Sequence, residues 1–298
     1  MMRVGLGRSR SSHGHLVDLE AGFPATSGPG RMVGVLGAAG APGRTFISVN
    51  AALGLAQRGL SVCLLDADPG LGTVAAQLDL SEDRSLFYLA HESTLAAIDD
   101  DLVDRHLQHF GPLAVLTGRF EPGRGGTISA EVLSKVTRLL LGRYRLLIID
   151  LGRLDNPQTM AMALGCQLLL WVVSPSPLGA DLFDRTVTSS LAAQLRPKPN
   201  LAIINGTGSG ALGETEEALL RRYGISVVAS VPHHRLACLE SETSHRPAVM
   251  AGPLSQSLRR VAAAVATAAL RPSPLNAAPG PNSTDRAASS LLVGRAGT

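Results

Sequence analysis

The chain predicts an α/β protein: a three-layer sandwich around a mainly parallel, doubly wound sheet. Seven short runs that are almost continuous in Val, Ile and Leu recur along it, the pattern of strands covered on both faces. Segments of helix length separate most of them, so successive strands run parallel through βαβ units. A Gly-rich turn and three aspartates also fall where strands end, the edge at which such sheets bind ligands.

In chain order the expected strands cover 32–36, 62–65, 113–116, 146–149, 168–173, 201–204 and 227–231. The expected helices cover 45–58, 129–141, 180–195, 215–223 and 255–270. Residues 31–270 read as one folded domain. Residues 1–30, a mixture of Gly, Ser, His and Arg, and 271–298, rich in Pro, Ala and Ser, read as disordered tails, because neither buries enough apolar surface to offset ordering entropy.

Composition narrows the function classes. Of 298 residues, 45% are hydrophobic and 17% charged, which excludes wholesale disorder. The net charge of +3 resides in the two tails, and 32–270 carries −1. A basic core built for nucleic acid is therefore not expected, and DNA is a poor candidate partner. The longest near-apolar run, 160–173, contains Gln167 and falls short of the roughly 20 residues of a spanning helix. The first 20 residues have no continuous apolar stretch, so no secretory signal is read. Cys63, Cys166 and Cys238 stand far apart, as reduced thiols of a cytoplasmic protein do. Membrane contact is expected to be peripheral at most, at the inner face of the plasma membrane.

The strand MVGVL leads into GAAGAPGRTF and then into a helix. A glycine-rich turn opening a helix points backbone N–H groups and the positive helix end at an anion. Gly43, Arg44 and Thr45 stand where a phosphate-binding loop has Gly-Lys-Ser/Thr, the placement expected in a sheet of the P-loop NTPase type, although the lysine is absent. A tight βα turn needing glycine for geometry alone is the plainer alternative. About 20 residues on, LLDADP places Asp66 and Asp68 at a strand end, and LLIID places Asp150 at another. Carboxylates at i and i+2 on a strand share a face. Beside a phosphate loop they can hold the water shell of Mg²⁺ and orient a nucleophilic water. A single terminal aspartate is an ordinary turn residue, but three on strand ends in this order are a weaker coincidence.

With GAAGAPGRT, LLDADP, LLIIDLG, IING and ASVPHHR in place, the chain resembles the MinD/ParA family of deviant Walker ATPases over about 31–270. DADPGLGTVAAQLDL is similar to the CpaE/TadZ branch, which serves Tad pilus assembly. The resemblance implies that Gly40, Ala41, Pro42, Gly43, Arg44, Thr45 and Phe46 lie along the triphosphate of ATP. It implies that Asp68 positions the attacking water with Arg44 as the catalytic cation. Thr45, Asp66 and Asp150 would hold Mg²⁺, mostly through water. Asn205 would read the adenine edge, and Pro232 would shape the base pocket through neighbouring backbone. It also implies a homodimer with ATP between two subunits.

The departures from the family pattern are as informative. Ala39 and Arg44 stand where the family has its two loop lysines, and the chain's only lysines are Lys135 and Lys198. Arginine keeps the charge but is a planar fork, not a compact ammonium. Pro42 removes one loop N–H donor. Losing a transition-state cation costs roughly 10³–10⁵ in rate by analogy with arginine fingers. The expectation is a protein that binds ATP or ADP and hydrolyses ATP slowly or not at all. It would act as a nucleotide-gated localisation scaffold in Tad-type pilus or secretion assembly, with those assembly proteins as partners. The alternatives are an active MinD/ParA-type ATPase of septum placement or partition, and a nonspecific DNA-binding module. His91, His106 and His109 near the acidic run 99–104 read as part of a solvated helix, with metal binding the less favoured alternative. The final helix, Ala-rich without large anchors, reads as core packing and not as a membrane-surface helix.

Overall fold

The structure, a computed structural model, describes residues 30–38, 43–68, 72–92, 94–118, 128–154, 157–208 and 222–270. Eight strands form one sheet: β1 (Arg31–Gly37), β2 (Val62–Asp66), β3 (Gln108–Phe110), β4 (Leu113–Leu116), β5 (Leu146–Arg153), β6 (Leu168–Val173), β7 (Asn200–Thr207) and β8 (Ser226–Pro232). Their order is β3-β4-β2-β5-β1-β6-β7-β8. All neighbours are parallel except the β3–β4 pair. The seven expected strands are all present, and the sheet is doubly wound as the apolar runs predict.

Double coverage shows in the alternation along each strand. In β6, Leu169, Trp171 and Val173 face one core, and Leu168, Leu170 and Val172 face the other. The first core is closed chiefly by α5 (Ala130–Arg143), α6 (Pro157–Gly165) and α7 (Pro177–Thr188), the second by α1 (Arg44–Ala56) and α10 (Ser255–Ala269). The buried Trp171 ring meets Phe183 edge-on at 5.5 Å, and its Nε1 donates to Asn200 Oδ1 at 2.8 Å, so its polar atom is satisfied. Helix α10 buries Leu258, Val261, Ala262, Ala263, Val265, Ala266 and Ala269. A Cβ on Gly54 of α1 would lie 3.2 Å from the Ala262 Cβ; small residues let the two helices approach closely. The alanines thus serve packing. Burial pushes the Cys63 and Cys166 thiols up to about 12, as expected of inert core cysteines.

Two local readings change. The segment IDDDLVDRHLQHF is not one helix: α4 (Asp100–His106) stops and β3 follows as an antiparallel edge strand. Gln108 is responsible. Its buried amide accepts from Ser81 N–H and donates to the Ser81 and Arg84 carbonyls, bonds that only an extended backbone brings within reach. The helix expected over 180–195 begins earlier, at Pro177, with the Ser176 hydroxyl accepting from Gly179 N–H. It breaks at Ser189, which adopts extended φ/ψ and caps α8 (Ser190–Ala193). The run 160–173 divides between α6 and β6. No helix among the described residues is long and apolar enough to cross a membrane. Most of the helix expected over 215–223 lies outside the described residues, as do nearly all of 1–30 and all of 271–298.

Candidate nucleotide site at the carboxyl edge of the sheet

Strand register brings the carboxylates together. β2 and β5 pair in parallel with Asp66 opposite Asp150, so two acids from segments 84 positions apart in sequence lie side by side on adjacent strands, Asp66 at the end of β2 and Asp150 three residues before the end of β5. Both are buried. Asp66 is secured by local backbone: Asp68 N–H donates to Oδ1 at 3.2 Å and Val74 N–H to Oδ2 at 3.1 Å. The Asp66 side chain fills the space beside Gly118, where a Cβ would come within 2.9 Å of its Cγ. Asp150 is different. Both of its carboxylate oxygens are buried without a regular hydrogen-bond partner. Burial holds the Asp66 carboxyl well above the usual carboxylate range, and the neighbouring Asp150 charge raises it further. Burial likewise raises Asp150, against the pull of the nearby Thr45 hydroxyl and Arg44 charge.

Asp68 leaves the sheet one step later and rests on β5. A Cβ on Gly152 would lie 2.4 Å from the Asp68 carboxylate, and Gly152 has φ +70°. Only glycine meets both demands. The opposite wall is the start of α1. Gly43, at φ +83°, caps the helix in left-handed conformation, and a Cβ there would lie 2.3 Å from Asn205 Nδ2. Arg44 opens the helix. Its Nη1 donates to the Ala38 carbonyl at 3.3 Å and its Nη2 stands 3.8 Å from Asp68 Oδ2. Thr45 follows, its hydroxyl 3.3 Å from that of Thr73, the residue capping α2 (Val74–Leu78). The Phe46 ring is partly buried against the core between α1 and the sheet.

Asn205 lies at the end of β7. With Gly43, Ser174, Pro175, Ser176, Gly206 and His233 it lines an open cavity of about 340 Å³. Pro232 ends β8 opposite Thr207, and it is the next residue, His233, that reaches the cavity wall. The structure therefore groups Arg44, Thr45, Asp66, Asp68 and Asp150 at one end of the sheet, with Gly43 linking them to the Asn205 cavity. Gly40, Ala41 and Pro42 lie outside the described residues. Sequence reasoning passed over Gly152, Thr73, Ser174 and Ser176. The first was visible as the glycine two places after Asp150, and Ser176 as a hydroxyl residue just before a proline at a helix start. His234 serves the backbone instead of the cavity: its Nδ1 accepts from Ala237 N–H and caps α9 (Arg235–Ser244). His106 pairs with Glu92 at 3.2 Å and His91 stacks on Phe87 at 4.0 Å.

The residues fit a magnesium–nucleotide pair. A buried carboxylate held by no regular hydrogen bond is costly, and a hydrated divalent cation would satisfy Asp150 while relieving its repulsion with Asp66. Mg²⁺ keeps several waters and takes one or two carboxylates plus phosphate, so two acids and the Thr45 hydroxyl suffice. The Arg44 Nε is also buried without a partner, a donor available to an anion.

No protein-family model matches the chain. The antiactivator FleN of Pseudomonas aeruginosa is 47% identical over 58 residues, which are 20% of this chain and 21% of FleN. The chain thus matches about a fifth of that relative's length. Among solved structures, a ParA family ATPase from Chlorobium tepidum superposes with a TM-score of 0.67 at 18% identity, covering 78% of this chain and 98% of that one. The septum site-determining protein MinD of Pyrococcus horikoshii, solved with Mg-ADP, gives 0.63 at 18% identity, covering 78% and 94%. The fold is that of the MinD and ParA ATPases.

Proposed function

We propose that this chain binds an adenine nucleotide with Mg²⁺ at the carboxyl edge of its sheet and works as a nucleotide-gated MinD/ParA-type protein with slow or absent ATP hydrolysis. The observation that carries the reading is the buried Asp150 carboxylate, set beside Asp66 and next to the Thr45 hydroxyl, with neither oxygen in a regular hydrogen bond. Gly40, Ala41, Pro42, Gly43, Arg44, Thr45 and Phe46 follow the phosphates in this reading. Asn205 and the backbone around Pro232 enclose the base. Thr45, Asp66 and Asp150 hold the ion, mostly through water, and Asp68 orients the water near the terminal phosphate. The bound ion supplies charge neutralisation on the phosphates.

Dimerisation over this face belongs to the same reading. Leu178 at the start of α7 and Leu236 and Leu239 in α9 are 67%, 73% and 51% exposed. α7 begins directly after Ser176 and α9 two residues after His233, both of which line the Asn205 cavity, so a second copy laid across the nucleotide would cover large apolar side chains. Slow turnover follows from arginine and alanine at the two loop-lysine positions. A localisation scaffold for Tad-type pilus or secretion assembly fits that loss and the segment DADPGLGTVAAQLDL. The local identity with FleN favours a second reading, an antiactivator that holds another protein in check according to bound nucleotide. Light scattering after size exclusion, with and without MgATP, tests the shared core of both: a dimer is expected only with nucleotide, and identical profiles contradict it. Single-turnover hydrolysis separates a slow switch from an active MinD/ParA-type ATPase, which would turn over well above the background in water.

A further inference from the structure

The guanidinium of Arg44 is turned inward, across the start of the loop. Nη1 is spent on the Ala38 carbonyl, Nη2 faces Asp68 at 3.8 Å, and the two side chains are only 12% and 14% exposed. Asp68 has little room to retreat, because the Gly152 backbone lies hard against its carboxylate on the other side. A lysine ammonium is a single point on a flexible stem. The arginine fork offers donors in several directions, so one side chain can reach a carbonyl and a carboxylate together. We propose that Asp68 acts as an internal phosphate mimic: its carboxylate competes with nucleotide phosphate for the Arg44 guanidinium, and phosphate binding releases Asp68 to act on water.

Arg44 is then a positioning residue as well as a phosphate contact, and the Lys-to-Arg departure gains a purpose. Nucleotide affinity is held down by an intramolecular anion, and the water-orienting carboxylate is withheld until phosphate arrives. This inference rests on the nucleotide reading above.

Four proteins test it: the wild type, Asp68→Asn, Arg44→Met and the double variant, each titrated with MgADP and with magnesium pyrophosphate. Asp68→Asn should bind both ligands about five-fold more tightly, the scale of a modest, largely desolvated ion pair. That gain should disappear when Arg44 is already Met. A gain that persists undiminished in the Arg44→Met background reports simple charge repulsion and overturns the clasp, as does no gain at all. Thermal unfolding of the same proteins without nucleotide gives an independent readout. The two substitutions should be non-additive, and strictly additive shifts contradict the pairing. Should none of the four bind either ligand, the nucleotide reading itself fails, a result distinct from unchanged affinity among proteins that do bind.

Discussion

The two walls of the candidate site are built in opposite ways. The acidic wall is set by sheet register: Asp66 and Asp150 stand opposite each other on neighbouring strands, are buried, and cannot separate without breaking β2–β5 pairing. The cationic wall depends on one side chain, Arg44, which already has an acid beside it. One wall keeps two buried acids together at an electrostatic cost; the other presents the planar fork of Arg44. The contrast teaches where such a fold can vary. In the proposed reading the metal-side acids are tied to the sheet, whereas the phosphate-side cation Arg44 opens a helix at the sheet's edge and can be replaced without disturbing the core.

Breaking the acidic wall should have the largest effect. Asp150→Ala should weaken magnesium-dependent nucleotide binding at least about 100-fold, roughly the loss of one buried charge-assisted contact, while binding in EDTA changes little. Competition with a fluorescent nucleotide at fixed free Mg²⁺ reads this directly, and equal losses in both conditions would move Asp150 away from the ion.

Gly152→Ala should come next. It forces a side chain onto φ +70° and onto the Asp68 carboxylate, so stability should fall by about 2–3 kcal/mol, measured by urea unfolding. A neutral result would mean that Asp68 moves freely and is not positioned by β5.

The electrostatic cost of the acidic wall predicts the reverse sign for a conservative change. Asp66 and Asp150 have pKa values raised by folding, so the native state binds more protons than the unfolded chain between the ordinary carboxylate value and the raised ones. Stability without Mg²⁺ therefore rises as pH falls through the raised values and declines as pH climbs past them. Asp150→Asn should accordingly stabilise the metal-free protein at neutral pH, on the order of 2 kcal/mol, and flatten this dependence. Destabilisation by the amide would show that the carboxylate is better solvated than its burial indicates.

The smallest effect on stability should come from Leu236→Ser combined with Leu239→Ser. Exposed positions change unfolding by less than about 0.5 kcal/mol. Nucleotide-linked dimerisation should nevertheless be lost, and a dimer that survives would place the interface elsewhere.

Much of this was legible in sequence for a physical reason. Strands covered on both faces must be apolar throughout, so all seven parallel strands announced themselves. Aspartates near their ends stood out against Leu and Ile: Asp66 ends β2 as read, whereas β5 continues past Asp150 to Arg153. β3 escaped because its three residues, Gln108, His109 and Phe110, carry no apolar alternation, and its extension is set by the buried Gln108 amide meeting Ser81 and Arg84 far back in the chain. The break at Ser189 was equally hidden, since Thr186, Val187 and Thr188 keep helical spacing and only the capping hydroxyl ends the run. The Asn205 cavity needed two loops and a helix start from separate regions, and no local pattern encodes their meeting. The Arg44–Asp68 approach is likewise tertiary: the sequence shows both residues but not which way the guanidinium turns.

Titration calorimetry of the wild-type chain with MgATP, repeated in buffers of different ionisation enthalpy, tests the central claim most directly. Saturable heat is expected with Mg²⁺, accompanied by net proton release as an ion takes the place of the proton on the Asp66–Asp150 pair. Absence of heat at millimolar MgATP, or binding indifferent to Mg²⁺ and without proton release, would contradict it.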